Sequence, residues 1–201
     1  SGGQTITYDY LVVATGLMLD FAAIKGLDGV ITSSGENTVV KQKIGKNGVY
    51  SIYFADGAVD TYQGIQELIK QAKAHTGPEK LQALFSDPAT PIKCGGAPKK
   101  IMYITHDLLS KEGVRDKVDL IFLPSGDKMF GVPEYNDAIF EQFKTRNIKW
   151  EFKTNLIAID TEKKIATFEK KWLEKGEYDE DLKEYTMNTM SKNVEKKYDF
   201  I

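Results

Sequence analysis

Apolar positions along this 201-residue chain follow two rhythms. Alternation predicts strands, and recurrence at three and four residues predicts helices. Residues 5–13 (Thr-Ile-Thr-Tyr-Asp-Tyr-Leu-Val-Val) alternate and then turn continuously apolar, which predicts a strand running into a core. Residues 81–86 and 118–123 are short, nearly continuous apolar runs, as in strands covered on both faces. Between them, Ile101, Met102, Ile104, Leu108 and Leu109 recur at helical spacing over residues 98–112. Pro98 suits the first helical position and Gly113 ends the helix. An earlier helix carries the stripe Ile65, Leu68, Ile69 and Ala72; Asp60-Thr61-Tyr62-Gln63 reads as its capping box and Gly77-Pro78 as its stop. A third helix, over residues 133–146, would bury Tyr135, Ala138, Ile139, Phe140 and Phe143, and Ile148, Trp150 and Phe152 then alternate in a third strand.

Strand, helix, strand in this order implies a parallel βαβ unit with a right-handed crossover. The fold class read from the pattern is α/β, a Rossmann-like parallel sheet with flanking helices and an antiparallel extension. That extension is a hairpin of residues 155–160 and 165–169 around the turn 161–164. Residues 185–190 predict one more strand, and the charge run 174–183 reads as a solvated turn. Residues 21–60 hold six glycines among polar residues and read as a long irregular connection. Residues 197–201 start a further strand. The chain opens on Ser rather than Met, and with that apolar strand at its other end this suggests a processed chain or a piece of something longer.

A net charge of −2 argues against nucleic acid or a broad electrostatic membrane contact. A single cysteine excludes an internal disulfide framework and a cysteine-based zinc site, and no metal centre is expected. No apolar run is long enough to span a bilayer, and no signal peptide is evident.

That cysteine, Cys94, falls in a glycine-bearing turn between a strand end and a helix N-terminus. Unpaired N–H groups and the positive end of the helix dipole favour an anion there. Lys93, Lys99 and Lys100 add positive charge, and two lysines in a first helical turn imply a negative partner nearby. A cysteine so placed has a lowered pKa and is nucleophilic near neutral pH, whereas a lone buried thiol is inert. The turn also invites a nicotinamide-cofactor reading. Yet Cys94-Gly95-Gly96-Ala97-Pro98 lacks the Gly-x-Gly-x-x-Gly spacing, and the strand ending in Leu123-Pro124-Ser125 offers no acid for a ribose hydroxyl. His75 and His106 are the only histidines, and His106 lies several turns along the helix from Cys94. Asp107 and Asp127 have no paired-acid context, and Phe130-Gly131 reads as turn packing.

The segment Pro91-Ile92-Lys93-Cys94-Gly95-Gly96-Ala97-Pro98-Lys99-Lys100-Ile101-Met102-Tyr103 resembles the cysteine motif of sulfide:quinone oxidoreductases, two-dinucleotide-domain flavoproteins. Tyr-Asp-Tyr-Leu-Val-Val-Ala-Thr-Gly at 8–16, Met-Phe-Gly-Val-Pro-Glu-Tyr at 129–135, Asn155-Leu156-Ile157 and Tyr198-Asp199-Phe200-Ile201 are similar to other parts of that family. The resemblance implies an FAD enzyme that oxidises sulfide and passes electrons to quinone as a peripheral membrane protein. It implies two cysteines flanking the flavin, one holding a persulfide and the other adding as a thiolate to the flavin ring, with Cys94 one of the pair, and it places Ala14, Thr15 and Gly16 against the flavin nucleotide. It divides the chain into an exit strand of the FAD-binding half (1–25), an irregular connection and helix (26–80), and a second, NAD(P)-type domain with a β extension (81–201). The partner cysteine, both FAD motifs and the membrane-contacting region are absent, so the expectation is a soluble middle piece that folds without holding FAD or turning over sulfide. Two other readings stay open: an NAD(P)H-dependent flavin disulfide reductase, and a non-enzymatic persulfide carrier. Self-association is left open as well.

Overall fold

In the computed structural model, which describes residues 3–17, 19–27, 43–53 and 55–201, β1 (Leu81–Asp87) and β2 (Val118–Pro124) pair in parallel, Leu81 opposite Val118 through to Asp87 opposite Pro124. The helix α2 (Ala97–Lys111) connects them. Two further helices, α1 (Ala55–Ala74) and α3 (Pro133–Thr145), precede and follow this unit. The two-residue strand β3 (Lys149–Trp150) lies beside β2, and Phe200 bridges to Ala83 on the open side of β1, again in parallel.

Side chains of the central strands divide by pleat parity. Ala83, Phe85, Val118, Leu120 and Phe122 join Ile65, Leu68 and Ile69 of α1, Met102 and Leu109 of α2 and Phe143 of α3 in one core. Leu84, Ile121 and Leu123 face the other way, into a second core with Leu27, Ile44, Val49, Ile159, Ala166 and Phe168. That second core is roofed by an antiparallel sheet, β4 (Thr154–Asp160), β5 (Ile165–Asp179) and β6 (Glu184–Lys197), in the order β4-β5-β6. The α/β class with an antiparallel extension, the order of the strands and helices from residue 81 onward, and the parallel pairing all stand as the pattern implied.

Four expectations are corrected. Residues 5–13 form no strand: Tyr10 is 91 % and Val12 85 % exposed, and no described residue pairs with them. A strand needs a neighbour, and alternation alone does not supply one. The helix α1 starts at Ala55, so Asp60-Thr61-Tyr62-Gln63 lies inside it; Thr61 donates its hydroxyl to the Gly57 carbonyl at 2.6 Å instead of capping. In the charge run, residues 174–179 belong to β5, and only 180–183 turn. On α3, Phe143 is fully buried but Tyr135 is 61 % exposed and Ala138 is exposed, because the helix lies over the thin β3 edge and sinks only one line of side chains.

The segment before residue 28 reaches the antiparallel sheet through Lys25, whose N–H donates to the Ile157 carbonyl (2.9 Å) while its own carbonyl accepts from Ile159 N–H (2.8 Å). Gly26 follows at φ +93°, and a Cβ there would meet the Ile159 carbonyl oxygen at 2.1 Å. Gly26→Ala is expected to cost at least about 1–2 kcal/mol for the left-handed backbone alone. It should also open this bridge: hydrogen exchange at the Lys25 and Ile159 amides speeds up, while that of Leu84 in β1 is unchanged.

Candidate active site

Beyond β1 the chain cannot stay extended in the sheet, because Pro88 and Pro91 lack the N–H a ladder needs. It turns through Cys94, whose carbonyl accepts from Ala97 N–H at 3.1 Å, and α2 begins with Lys100 N–H donating to Gly96 C=O at 2.9 Å. Gly96, the N-cap, has no side chain to satisfy the first amides, and Pro98 has no amide to satisfy. The Cys94 sulfur occupies that place. Its thiol is exposed, and its pKa is lowered, first by the hydrogen bond from Gly96 N–H, which outweighs the opposing desolvation, and then by Ala97 N–H, Lys100 and Lys99. A buried thiol is therefore excluded.

Lys99 and Lys100 are the two cations acting on the thiol, whereas Lys93 lines a neighbouring cleft. The negative partner implied by the lysine-rich first turn is Asp87. Lys99 is only 4 % exposed, and its ammonium lies 3.7 Å from Asp87 Oδ2, donates to the Gly95 carbonyl at 3.0 Å and sits 4.7 Å from the Phe122 ring centre. Asp87 in turn accepts from Ser125 N–H at 3.0 Å. Lys99 thus ties together the end of β1, the cysteine turn and β2, while Asp87 ties in the loop after β2. Burial lowers the Lys99 pKa and Asp87 opposes that.

Beside this turn, at the carboxyl end of β1, is a cleft of about 450 Å³. Its walls come from β1, the 88–93 loop, the start of α2, β4, residues 50–53 and the segment around 17–27. Leu84, Ile101, Leu156 and Phe200 make it largely apolar. Crevices of this position in open α/β sheets are where ligands bind. Sequence reasoning missed Tyr53, which lines the cleft with a buried hydroxyl that has no hydrogen-bond partner among the described residues. Burial raises its pKa, and the charges of Cys94 and Asp87 raise it further, so the phenol stays protonated as a potential donor.

Ala14, Thr15 and Gly16 are exposed and do not line the cleft; Leu17, the next residue, does. Gly16 has φ +77° and open space around it. His106 is half-buried, its pKa lowered by burial and by Arg115 and Arg146. It contributes nothing to Cys94, and His75 bonds to the Glu79 carbonyl. No helix among the described residues is long and apolar enough to cross a membrane.

No family model matches the chain. It is 40 % identical over 167 residues to the mitochondrial sulfide:quinone oxidoreductase of Dictyostelium discoideum and 35 % to that of Mus musculus, covering 83 % of this chain and 32 % of theirs. To the sulfide-quinone reductase of Aquifex aeolicus it is 30 % identical over 168 residues, 81 % of this chain and 33 % of that one. The crystal structure of the sulfide:quinone oxidoreductase from Aquifex aeolicus superposes with a TM-score of 0.57 at 22 % identity, over 98 % of this chain and 36 % of that chain, which shows a shared fold. The chain is thus related by sequence to the sulfide:quinone oxidoreductases, as the cysteine motif implied, and spans about a third of the length of the curated relatives it matches.

Proposed function

We propose that this stretch supplies a reactive thiol of an FAD-dependent sulfide:quinone oxidoreductase, in which Cys94 carries sulfur as a persulfide while sulfide becomes polysulfide or sulfane sulfur and quinone is reduced at a membrane surface. The observation that carries this reading is the setting of Cys94: exposed, hydrogen-bonded by Gly96 and Ala97 N–H groups, and lowered in pKa. Relatives named for that activity support the substrate class.

A thiolate held this way attacks the outer sulfur of a polysulfide. A bond forms between Cys94 Sγ and that sulfur, the next sulfur–sulfur bond breaks, and the shortened polysulfide leaves with the electron pair. The persulfide anion remaining on Cys94 can be held by the same amides and lysines. In this reading Lys99 positions the turn, and Tyr53 offers its protonated hydroxyl to whatever fills the cleft.

The cleft suits a planar ring, with largely apolar walls and, among the described residues, the unpartnered hydroxyl of Tyr53. Ala14, Thr15 and Gly16 would approach the nucleotide, Gly16 having the backbone freedom for it. FAD, when bound, would accept the two electrons from sulfide and pass them to quinone. The 201 residues contain no Gly-x-Gly-x-x-Gly turn to cradle its phosphates, so this chain by itself is expected neither to retain FAD nor to reduce quinone.

Polysulfide treatment followed by peptide mass spectrometry should find one added sulfur on Cys94, removable by a reducing thiol and absent from Cys94→Ser. The rate of Cys94 alkylation against pH should show a midpoint below about 8.5, the value of a free cysteine. A thiol that stays protonated and unreactive well above that pH would remove the chemical basis of the reading.

A further inference from the structure

Beyond the Lys170/Lys192 pair, β5 and β6 leave β4 behind and continue as a two-stranded arm, Lys171 opposite Ser191 out to Asp179 opposite Glu184. Ten residues of β5, Lys170 to Asp179, against nine of β6, Glu184 to Lys192, give it a length of about 30 Å. Isolated two-stranded ribbons are marginal in water, so an arm of this length calls for a cover.

One of its faces is apolar. Directly paired residues share a face, so Leu173 with Thr189, Lys175 with Met187 and Tyr178 with Tyr185 line the same side. Leu173, Tyr178, Tyr185 and Met187 there are 45–55 % exposed. The Tyr178 and Tyr185 rings meet edge to face at 5.0 Å, and the Lys175 ammonium lies 3.3 Å from the Tyr185 ring centre. This prearranges the aromatic surface.

Charge is divided along the arm. The tip, residues 177–184, carries five acids (Glu177, Asp179, Glu180, Asp181, Glu184) against Lys183, a net −4. The stem, residues 170–175 with 187–192, carries Lys170, Lys171, Lys175 and Lys192 against Glu174, a net +3. A surface negative at one end and positive at the other is complementary to itself when turned end for end about a two-fold axis. A negatively charged membrane surface would be repelled by the tip. Edge-to-edge pairing is opposed by the register shift between Lys175 and Tyr178 and by the lysines along both strands.

We propose that this arm docks face to face on the arm of a second copy of the chain, antiparallel about a two-fold axis, with the Leu173–Tyr178–Tyr185–Met187 face buried and each acidic tip against the other's lysine-rich stem. The occupant is set by the division of charge along the ribbon: by register Lys171 and Lys175 lie on the apolar face, Lys170, Lys192, Asp179 and Glu184 lie on the other, and the turn acids Glu180 and Asp181 cap the end of both; none of this depends on the chemistry of Cys94. The four side chains fall short of the roughly 800 Å² per partner of a standard interface, so the association is weak and salt-sensitive.

Sedimentation velocity of the 201-residue chain over a wide concentration range tests it. Expected is a monomer–dimer equilibrium at low salt whose dissociation constant rises at least tenfold in about 1 M salt, where the Debye length is about 3 Å. Met187→Asp should abolish the dimer with circular dichroism unchanged, since the arm lies outside both cores. Reversing the tip (Glu180→Lys with Asp181→Lys) or the stem (Lys171→Glu with Lys175→Glu) should each weaken it tenfold or more, and the two sets combined in one chain should restore it. A monomer at every concentration overturns the proposal. So does a dimer indifferent to Met187→Asp or to both reversals, and so does binding to neutral lipid vesicles that Met187→Asp removes while no dimer forms.

Discussion

Lys99→Met is expected to destabilise the fold by about 3 kcal/mol and to raise the Cys94 thiol pKa toward that of a free cysteine. Removing one partner of a buried ion pair costs roughly 3–5 kcal/mol, because the other charge is left unpaired. The low end applies, since Asp87 keeps the bond from Ser125 N–H and its side chain is 14 % exposed. Methionine fills the stem's space but loses the bond to the Gly95 carbonyl and the contact over the Phe122 ring. The thiol also loses one of its cations, while the larger influences, the Gly96 and Ala97 amides and Lys100, remain. The pKa change should therefore be partial. Adding Asp87→Asn to Lys99→Met removes the orphaned charge. This double variant should regain much of the lost stability in urea unfolding, yet its alkylation midpoint should stay raised. A Lys99→Met protein within about 0.5 kcal/mol of the parent would show that Lys99 does not clamp the cysteine turn.

That clamp was half legible in the sequence. Pro98, the glycines and the flanking strand and helix fixed where Cys94 must lie, since each of those signals is local. The need for a negative partner followed from two lysines in a first helical turn. Its identity as Asp87 is a matter of where the strand ends, twelve residues away from Lys99, and a reading that stops β1 at residue 86 does not place it. Tyr53 carried no signal at all. It reaches the cleft through an irregular segment whose path is set by single anchors: the Tyr50 ring lying over Gly64, and the Ile201 carbonyl accepting from Tyr50 N–H at 2.8 Å. The hairpins were legible in part. Asp160 and Asp179 each accept two backbone N–H bonds in the turn that follows, and each turn closes on a lysine at positive φ, Lys164 and Lys183. The shared Asp-to-Lys spacing marks both turns, but the density of charge at 174–183 masked the second, and with it the full length of the arm.

The same contrast between local pattern and final packing governs the other large effect. Phe143→Ala is expected to lower stability by about 3–5 kcal/mol, the usual range for emptying a fully buried aromatic site. Phe143 has no exposed surface, and its ring meets Phe122 at 5.8 Å, Tyr103 at 5.9 Å and Trp150 at 6.1 Å, all at steep angles. It joins β2, α2 and β3 at once, and it is the one fully buried residue of α3. Three rigid rings cannot collapse far into the space it leaves, so the cavity persists. The helix it anchors also holds the 129–130 backbone, whose amides bond to Asn136 Oδ1. The disturbance should therefore reach the loop after β2. Tyr135→Ala, on the same helix and read from spacing as equally buried, should cost no more than about 0.5 kcal/mol, because its ring is mostly in water and meets the Phe130 ring edge to face at 6.1 Å. Urea unfolding of the two variants side by side decides it. Equal costs would mean that α3 is held by its whole apolar stripe, as periodicity implies, and not by the single aromatic side chain on which the packing places it.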